Sequence, residues 1–281
     1  MRISALGIYP LKSARGVALA ESPIDAWGLE HDRRWMLTDP SGTFITQRQL
    51  PALAQISAVL GDARLTLSID GQAALDVETP PADRRMDVTV WDTPVSAALA
   101  DDAANATLSQ WLGRPVKLVH FDAMSRRSAS ADWAGPDTPV AFGDGYQILV
   151  TTTGSLAALN ADMAAHGEEP VGMDRFRTNV VIDHDEPFAE DGWGSIEIGG
   201  VVLYLVKPCA RCIMTTQDQK TGSREGASPM PAMGRIRMSA DRRVPGPLFG
   251  WNAVPVGSGR IAVGDAAKVL DRRAPWPIKR R

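Results

Sequence analysis

The stretch Val201-Val-Leu-Tyr-Leu-Val-Lys-Pro-Cys-Ala-Arg-Cys-Ile-Met-Thr-Thr-Gln-Asp-Gln-Lys-Thr-Gly222 holds both cysteines of this 281-residue chain. It begins as an apolar, strand-like run and ends in polar, threonine-rich sequence. A Cys-x-x-Cys pair in that setting has three readings. A structural zinc site needs four N or S ligands, and only His31, His120, His166 and His184 remain to supply them, none at short spacing from a partner. A thioredoxin-like pair opens a helix whose N-terminus activates the thiol, whereas Ile213-Met-Thr-Thr216 is β-prone and no amphipathic helix follows. In the third reading one thiolate, a soft donor, binds a metal held mostly by a non-protein ligand. The surroundings favour this last reading, although the pair alone does not settle it.

Working outward, strand-like runs dominate from Thr178 to Ile182, Ile196 to Val206, Cys212 to Thr216 and Ile261 to Val269. The segment from Arg224 to Arg243 lacks periodicity and reads as a loop covering a site. Upstream, Thr151-Thr-Thr-Gly-Ser155 precedes a short helix, so Thr153 or Ser155 caps it or contacts an anion at its N-terminus. From Asp122 to Asp137 the chain is polar and aperiodic, a mobile loop or boundary, and the domain division is placed there. Before it come a strand from Val116 to Phe121 and an alanine-rich helix from Ala97 to Leu112, stopped by Gly113. The first ninety or so residues read as short strands, Ile3 to Tyr9, Trp35 to Thr38, Thr43 to Thr46, Ile56 to Leu60, Arg64 to Ile69 and Met86 to Val90, with Asp39-Pro-Ser-Gly42 as a turn. The expected fold is therefore mainly β with a few helices (α+β).

Thirty Lys and Arg against thirty-three Asp and Glu give a net charge of −3, which argues against a nucleic-acid binder that relies on phosphate neutralisation. Two neighbouring cysteines form no disulfide framework, so a reducing, cytoplasmic location is expected. No apolar run approaches the roughly 20 residues of a membrane span, and the N-terminus reads as a first strand rather than a signal peptide. The tail Arg272-Arg-Ala-Pro-Trp-Pro-Ile-Lys-Arg-Arg281 reads as a frayed, solvated terminus.

The pattern Lys207-Pro-Cys-Ala-Arg-Cys212, then Thr215-Thr216, Asp218 and Thr221-Gly222, resembles the signature of MOSC domains. Three blocks from the other end agree with it: Ile8-Tyr-Pro-Leu-Lys-Ser-Ala-Arg-Gly16, Gly28-Leu-Glu-His-Asp-Arg-Arg-Trp35 and Thr46-Gln-Arg-Gln-Leu-Pro-Ala-Leu53. They resemble the β-barrel domain that precedes MOSC in the subfamily of the mitochondrial amidoxime-reducing components and YcbX-type proteins. Phe176-Arg-Thr-Asn-Val-Val-Ile182 resembles the family's Arg-Pro-Asn stretch, and Gly264-Asp265 its closing strand. The resemblance implies an N-terminal β-barrel-like domain over residues 1–122, a MOSC β-barrel domain over 123–272 and a basic tail over 273–281. Two departures stand out: Ala210 where the family commonly has Ser, and Gln217-Asp-Gln-Lys220 where it has an acidic, proline-containing pattern.

The activity the resemblance implies is a molybdenum-dependent reductase of N-hydroxylated compounds. Its molybdenum cofactor would be bound by the pterin dithiolene and by Cys212, which aligns with the metal-ligating and catalytic cysteine, while Cys209 is structural. The cofactor's phosphate and pterin suit cations and fork-like donors, and the implied set is Lys12, Ser13, Arg33, Arg177, Asn179 and Arg211, with Thr153 and Ser155 from the helix start. Since adjacent strand residues face opposite sides, at most one of Arg33 and Arg34 should reach the site, whereas Arg177 and Asn179 share a strand face. Some relatives carry a ferredoxin domain or a membrane anchor, neither of which is expected here. Electrons should therefore come from a separate protein, a ferredoxin or a flavin-linked reductase. A cofactor carrier or sulfur-transfer module is the alternative, and a pyridoxal-phosphate-binding description is compatible with the resemblance. Trp133, Trp193, Trp251 and Phe249 are candidate channel-lining aromatics, with packing the commoner role.

Overall fold

In the computed structural model, which describes residues 1–61 and 63–279, strand accounts for 38% of the chain and helix for 19%, so the fold is mainly β. Among these residues the largest sheet has eight strands curled into a half-barrel. The strand Val201–Ala210 lies inside it, between Trp193–Ile198 and Leu248–Val256. Period-two alternation explains the placement: Val201, Leu203 and Leu205 are buried, whereas Tyr204 is 48% exposed. The expected run from Ile196 to Val206 divides into two antiparallel strands because Gly199 and Gly200 both take positive φ, 57° and 80°, and turn the chain back.

The chain's first two strands, Arg2–Ile8 and Val17–Leu19, also belong to this sheet. Leu6 pairs with Val180 in the antiparallel neighbour Val180–Asp183. That strand runs parallel to Ile148–Thr152, and the crossover between them carries the helix Thr153–Ala165. Ile3, Leu6 and Ile8 thus bury their side chains with Ile148, Val150, Ile182, Trp193 and Trp251 in one core.

A second module supplies the opposite wall. Trp35–Thr38, Lys117–His120, Thr93–Leu99 and Arg85–Val90 form a four-stranded antiparallel sheet, and Ser57–Gly61, Arg64–Ser68 and Leu75–Glu78 form a three-stranded one. Trp35–Thr38 is buried on both faces. Trp35 and Leu37 pack with Leu53, Leu65, Leu108 and Leu118, while Met36 joins Phe44, Val88, Phe121 and Phe142 on the other side.

Several local expectations are corrected. The helix begins at Asp102, not Ala97, because Ala97 and Ala98 pair with Met86 and Arg85 in a strand and the Asp101 carboxylate caps the helix by accepting from the Ala104 N–H at 2.7 Å. Thr43 to Thr46 forms isolated bridges rather than a strand. Ile213–Thr216 is one turn of 3-10 helix, since the Thr215 and Thr216 hydroxyls donate back to the Cys212 and Ile213 carbonyls at 3.1 and 2.8 Å and displace strand pairing. Gly264-Asp265 is a turn, with the last strand at Ala267–Arg272. Within 224–243, Met230–Ile236 is helical and buries Ala232 and Met233 against Leu159 and Met163. The segment after Asp122 is pinned, not loose: Arg127 is buried and donates to the Ala141 and Gly143 carbonyls. The tail is docked through Lys279, whose N–H donates to the Met238 carbonyl at 2.8 Å, while the Trp276 indole donates to Ser239 at 3.0 Å. Arg280 and Arg281 lie outside the described residues.

Candidate cofactor site

A cleft of about 530 Å³ opens between the two modules. Its lining holds seven cations, Lys12, Arg33, Arg48, Arg177, Lys207, Arg211 and Arg243, and a single carboxylate, Asp144. On a chain of net charge −3, that concentration creates a local field suited to an anion.

At one part of the lining, Lys12, Arg33 and Arg177 are held rigidly. Lys12 Nζ donates to the Phe142 carbonyl at 2.8 Å and to Asp144 at 2.5 Å. Arg33 pairs with buried Asp32, which also accepts from the Tyr9 N–H at 2.7 Å, and Arg33 donates to the Asn179 side-chain oxygen at 3.1 Å and the Arg177 carbonyl at 3.2 Å. Arg177 donates to the Ala14 carbonyl at 2.8 Å and to Gln219 Oε1 at 2.9 Å. Both guanidinium groups lie over the Tyr9 ring, at 4.5 Å for Arg33 and 4.1 Å for Arg177. Burial lowers the Lys12 ammonium from its ordinary value, against the opposing pull of Asp144. Burial, together with the neighbouring Arg33, brings Arg177 down to about 10 despite the opposing influence of Tyr9. Arg177 remains a cation at neutral pH, and an anion beside these groups would restore what desolvation takes away.

The cysteines line the same cleft. Cys212 is exposed, with Arg48 Nη2 3.7 Å from its Sγ, and Cys209 is half-buried, with Arg211 Nη1 3.0 Å from its Sγ. Arg211 also donates to the Phe176 carbonyl at 2.8 Å. Its buried Nε has no hydrogen-bond partner among the described residues, and an unpartnered buried donor is one that a bound group can satisfy. No cluster of three or more His, Cys, Asp or Glu side chains gathers among the described residues, so a metal at Cys212 would take its other ligands from a non-protein group. These observations fit an anionic, metal-bearing cofactor.

Backbone strain concentrates here. Of the eight described non-glycine residues with positive φ, four line the cleft: Ser13 (65°), Arg33 (50°), Trp91 (56°) and Arg177 (54°). Each left-handed residue costs roughly 1–2 kcal/mol, and such strain gathers where geometry serves function. Arg33 and Arg177, expected on strand faces, are placed differently. Both occupy turns rather than strands, so a left-handed turn, not period-two alternation, directs each side chain. Arg34 lies over Trp27 at 4.8 Å and is absent from the cleft lining.

Of the expected site residues, the structure brings together Lys12, Ser13, Arg33, Arg177, Asn179, Arg211 and Cys212. Thr153 and Ser155 lie elsewhere. Ser155 is buried and donates to Glu190 at 2.8 Å, and Thr153 bonds Asp183 and the His184 carbonyl. The N-cap itself is Thr152, accepting from the Ser155 N–H at 3.1 Å. Trp193, Trp251 and Phe249 are core residues, and Trp133 sits beneath Lys207 at 5.2 Å. Asp218 works in its own loop, accepting from the Lys220 and Thr221 N–H groups at 2.9 and 2.8 Å. Arg48, Trp91, Asp144, Tyr146 and Lys207 went unnoticed in the sequence. Arg48 and Lys207 stand inside the quoted motifs and were findable; Asp144 carries no local signal.

Of the two glutamines at the departure from the family pattern, Gln217 joins the modules and Gln219 buttresses Arg177. Gln217 donates to the Gln47 carbonyl at 3.2 Å, and Gln219 accepts from Arg177. The loop is completed by Gln55, which donates to the Thr221 carbonyl at 3.0 Å, and by Arg15, which donates to that of Lys220 at 2.8 Å.

Comparison with known proteins agrees with this architecture. Residues 1–115 match the MOSC N-terminal beta barrel domain and residues 137–268 the MOSC domain. The chain is 32% identical to human mitochondrial amidoxime-reducing component 1 over 282 residues, covering 95% of this chain and 82% of that protein. Bovine mitochondrial amidoxime reducing component 2 is 29% identical, covering 94% and 81%. Zebrafish molybdenum cofactor sulfurase is 30% identical over 79% of this chain but only 29% of its own length. None of these descriptions names pyridoxal phosphate. A chain that carries both domain types in this order and matches such relatives almost end to end belongs to the MOSC-domain family that includes the mitochondrial amidoxime-reducing components.

Proposed function

We propose that this protein is a molybdenum cofactor-dependent reductase of N-hydroxylated compounds. The observation that carries the reading is one exposed thiol, Cys212, on a cleft lined by seven cations and one carboxylate. Lys12, Arg33 and Arg177 hold the cofactor's phosphate and pterin edge, with Asn179, Ser13 and Arg211 supplying further donors, and Cys212 donates its thiolate to the metal. When bound, the cofactor supplies two-electron chemistry at an N–O bond. In the net reaction that bond breaks, two electrons and two protons enter, the nitrogen gains hydrogen and the oxygen leaves as water.

The chain's own part is positioning and electrostatics. The two guanidinium groups over Tyr9 fix the anion end, and the paired contacts of Arg33 with Asp32 and Asn179 stop it from swinging. Donors on Arg48 and Arg211 face the sulfurs. The electrons come from a separate donor protein. Two unpaired cysteines favour a reducing compartment such as the cytoplasm, and no helix among the described residues is long and apolar enough to cross a membrane.

The test is molybdenum content, pterin fluorescence and benzamidoxime reduction for wild type and Cys212→Ser, expressed in a cofactor-producing host. Near-stoichiometric metal with sustained turnover in wild type, lost in the variant, is expected. Absence of metal and pterin from the wild type removes the reading. Similarity to the zebrafish sulfurase favours a second reading, a cofactor carrier or sulfur-transfer module, which would show cofactor exchange without sustained turnover.

A further inference from the structure

Trp91 is a large aromatic on a two-residue turn between the strands Arg85–Val90 and Thr93–Leu99, with a φ of 56°. Bulky residues avoid that backbone region, where glycine, asparagine or aspartate is usual. The ring remains 45% exposed even though it lines the cleft. Two neighbours fix its orientation: the Phe44 ring meets it edge-on with centroids 5.1 Å apart, and the Arg48 guanidinium lies 5.0 Å from its centroid. Arg48 reaches Cys212 with its other end, Nη2 lying 3.7 Å from Sγ. An oriented, half-bare indole is thus tied through one guanidinium to the thiol.

Charge narrows what such a surface accepts. Lys12 and Arg33 are matched by Asp144 and Asp32, and Arg243 by Asp241, whereas Arg48, Lys207 and Arg211 have no carboxylate partner among the described residues. A cofactor held at Lys12, Arg33, Arg177 and Arg211 would leave Arg48 and Lys207 facing the incoming substrate.

We propose that Trp91 and Arg48 form the substrate platform of the cleft, on which flat N-oxygenated compounds stack, and that it prefers neutral or anionic substrates to cationic ones. The inference rests on the reductase reading and adds the chemical class. Stacking uses the indole face, as aromatic and guanidinium surfaces commonly do. Repulsion by Arg48 and Lys207 disfavours a fixed positive charge on the ring.

The test compares 4-carboxybenzamidoxime with 4-(trimethylammonio)benzamidoxime, alike except in charge. Wild-type kcat/KM should favour the carboxylate about five- to tenfold, the size expected of partly exposed charges at short range, with the difference in KM. Arg48→Gln should shrink that ratio and Arg48→Glu should reverse it. Calorimetric binding of the unreactive 4-carboxybenzamide and 4-(trimethylammonio)benzamide to the cofactor-loaded protein gives a readout independent of turnover, and Trp91→Ala should weaken both by about tenfold. Trp91→Phe, which keeps an aromatic face, should recover most of that loss. Molybdenum content and thermal unfolding of each variant show that fold and cofactor persist. Equal affinity of wild type for both analogues, or a charge preference that Arg48→Glu leaves unchanged, overturns the platform even if benzamidoxime is reduced. Loss of the reductase reading would show instead as wild type without molybdenum or turnover, and it removes the platform, which rests on that reading.

Discussion

Arg48 and Cys212, 164 residues apart in sequence, meet with Nη2 3.7 Å from Sγ, so the N-terminal module places a cation directly at the thiol of the other. Cys212 is exposed and Cys209 half-buried. Alkylation by iodoacetamide followed by peptide mass spectrometry should therefore modify Cys212 first in cofactor-free protein. Bound cofactor should protect Cys212 selectively; equal labelling with and without cofactor would contradict its place at the metal.

Ser13 lines the cleft, is buried, and holds φ at 65°. Glycine adopts that conformation without the penalty its Cβ incurs. Ser13→Gly should stabilise the cofactor-free protein by about 0.5–1 kcal/mol while reducing cofactor retention, measured by urea unfolding and by molybdenum content. A destabilised variant would show that the strained backbone is not what limits stability there.

Gly222 shows the reverse case. Its φ is 77°, and a Cβ there would lie 2.3 Å from the Pro51 carbonyl oxygen, a backbone atom that cannot swing aside. Gly222→Ala should destabilise by about 2–4 kcal/mol through strain and displaced backbone. The loop carrying Gln217 and Gln219 would separate from the N-terminal module, and hydrogen exchange should rise in residues 217–223 and 51–55 together.

Glu190 is buried under Thr152 and Ser155, and burial, with the charge of Asp191 adding to it, raises its carboxyl to about 7. The folded state then binds this proton more tightly than the unfolded chain does. Its contribution to stability is complete below the unfolded value near 4.5 and is lost as pH rises through about 7. The loss should total about 3 kcal/mol at most. Glu190→Gln should flatten the fall in urea-unfolding stability between about pH 5 and about pH 7.5; an unchanged slope would mean another group titrates there.

His120 acts at the other end of the range. Burial, aided by Arg34, depresses its imidazolium to about 4, and the neutral ring packs against Trp35 at a tilt of 37° with centroids 4.5 Å apart. The stability gained by keeping it neutral is present above the ordinary value of 6.5 and fades as pH falls toward about 4. His120→Phe should remove that acid-side loss in the same assay.

The sequence by itself determined the mainly β class, the paired strand ahead of the cysteines and most cationic members of the cleft. These depend on local pattern: alternation along Val201–Val206, glycines at the turn, and motifs that keep residue type and spacing. Only the tertiary structure decided which residues face one another. Ser13, Arg33, Trp91 and Arg177 point into the cleft from left-handed turns, and neither period-two alternation nor helical periodicity describes a turn. Arg48 meets Cys212 across the cleft between the modules, and Gln219 meets Arg177 within one module across 42 residues of chain. Asp144 owes its place to Lys12, 132 residues earlier. Thr153 and Ser155 carried a genuine helix-start signal, yet buried Glu190 and the Asp183–His184 segment take up their hydroxyls, so the helix N-terminus serves packing rather than an anion. Local signals fix what a segment becomes; closure between distant segments fixes which of its side chains reach a ligand.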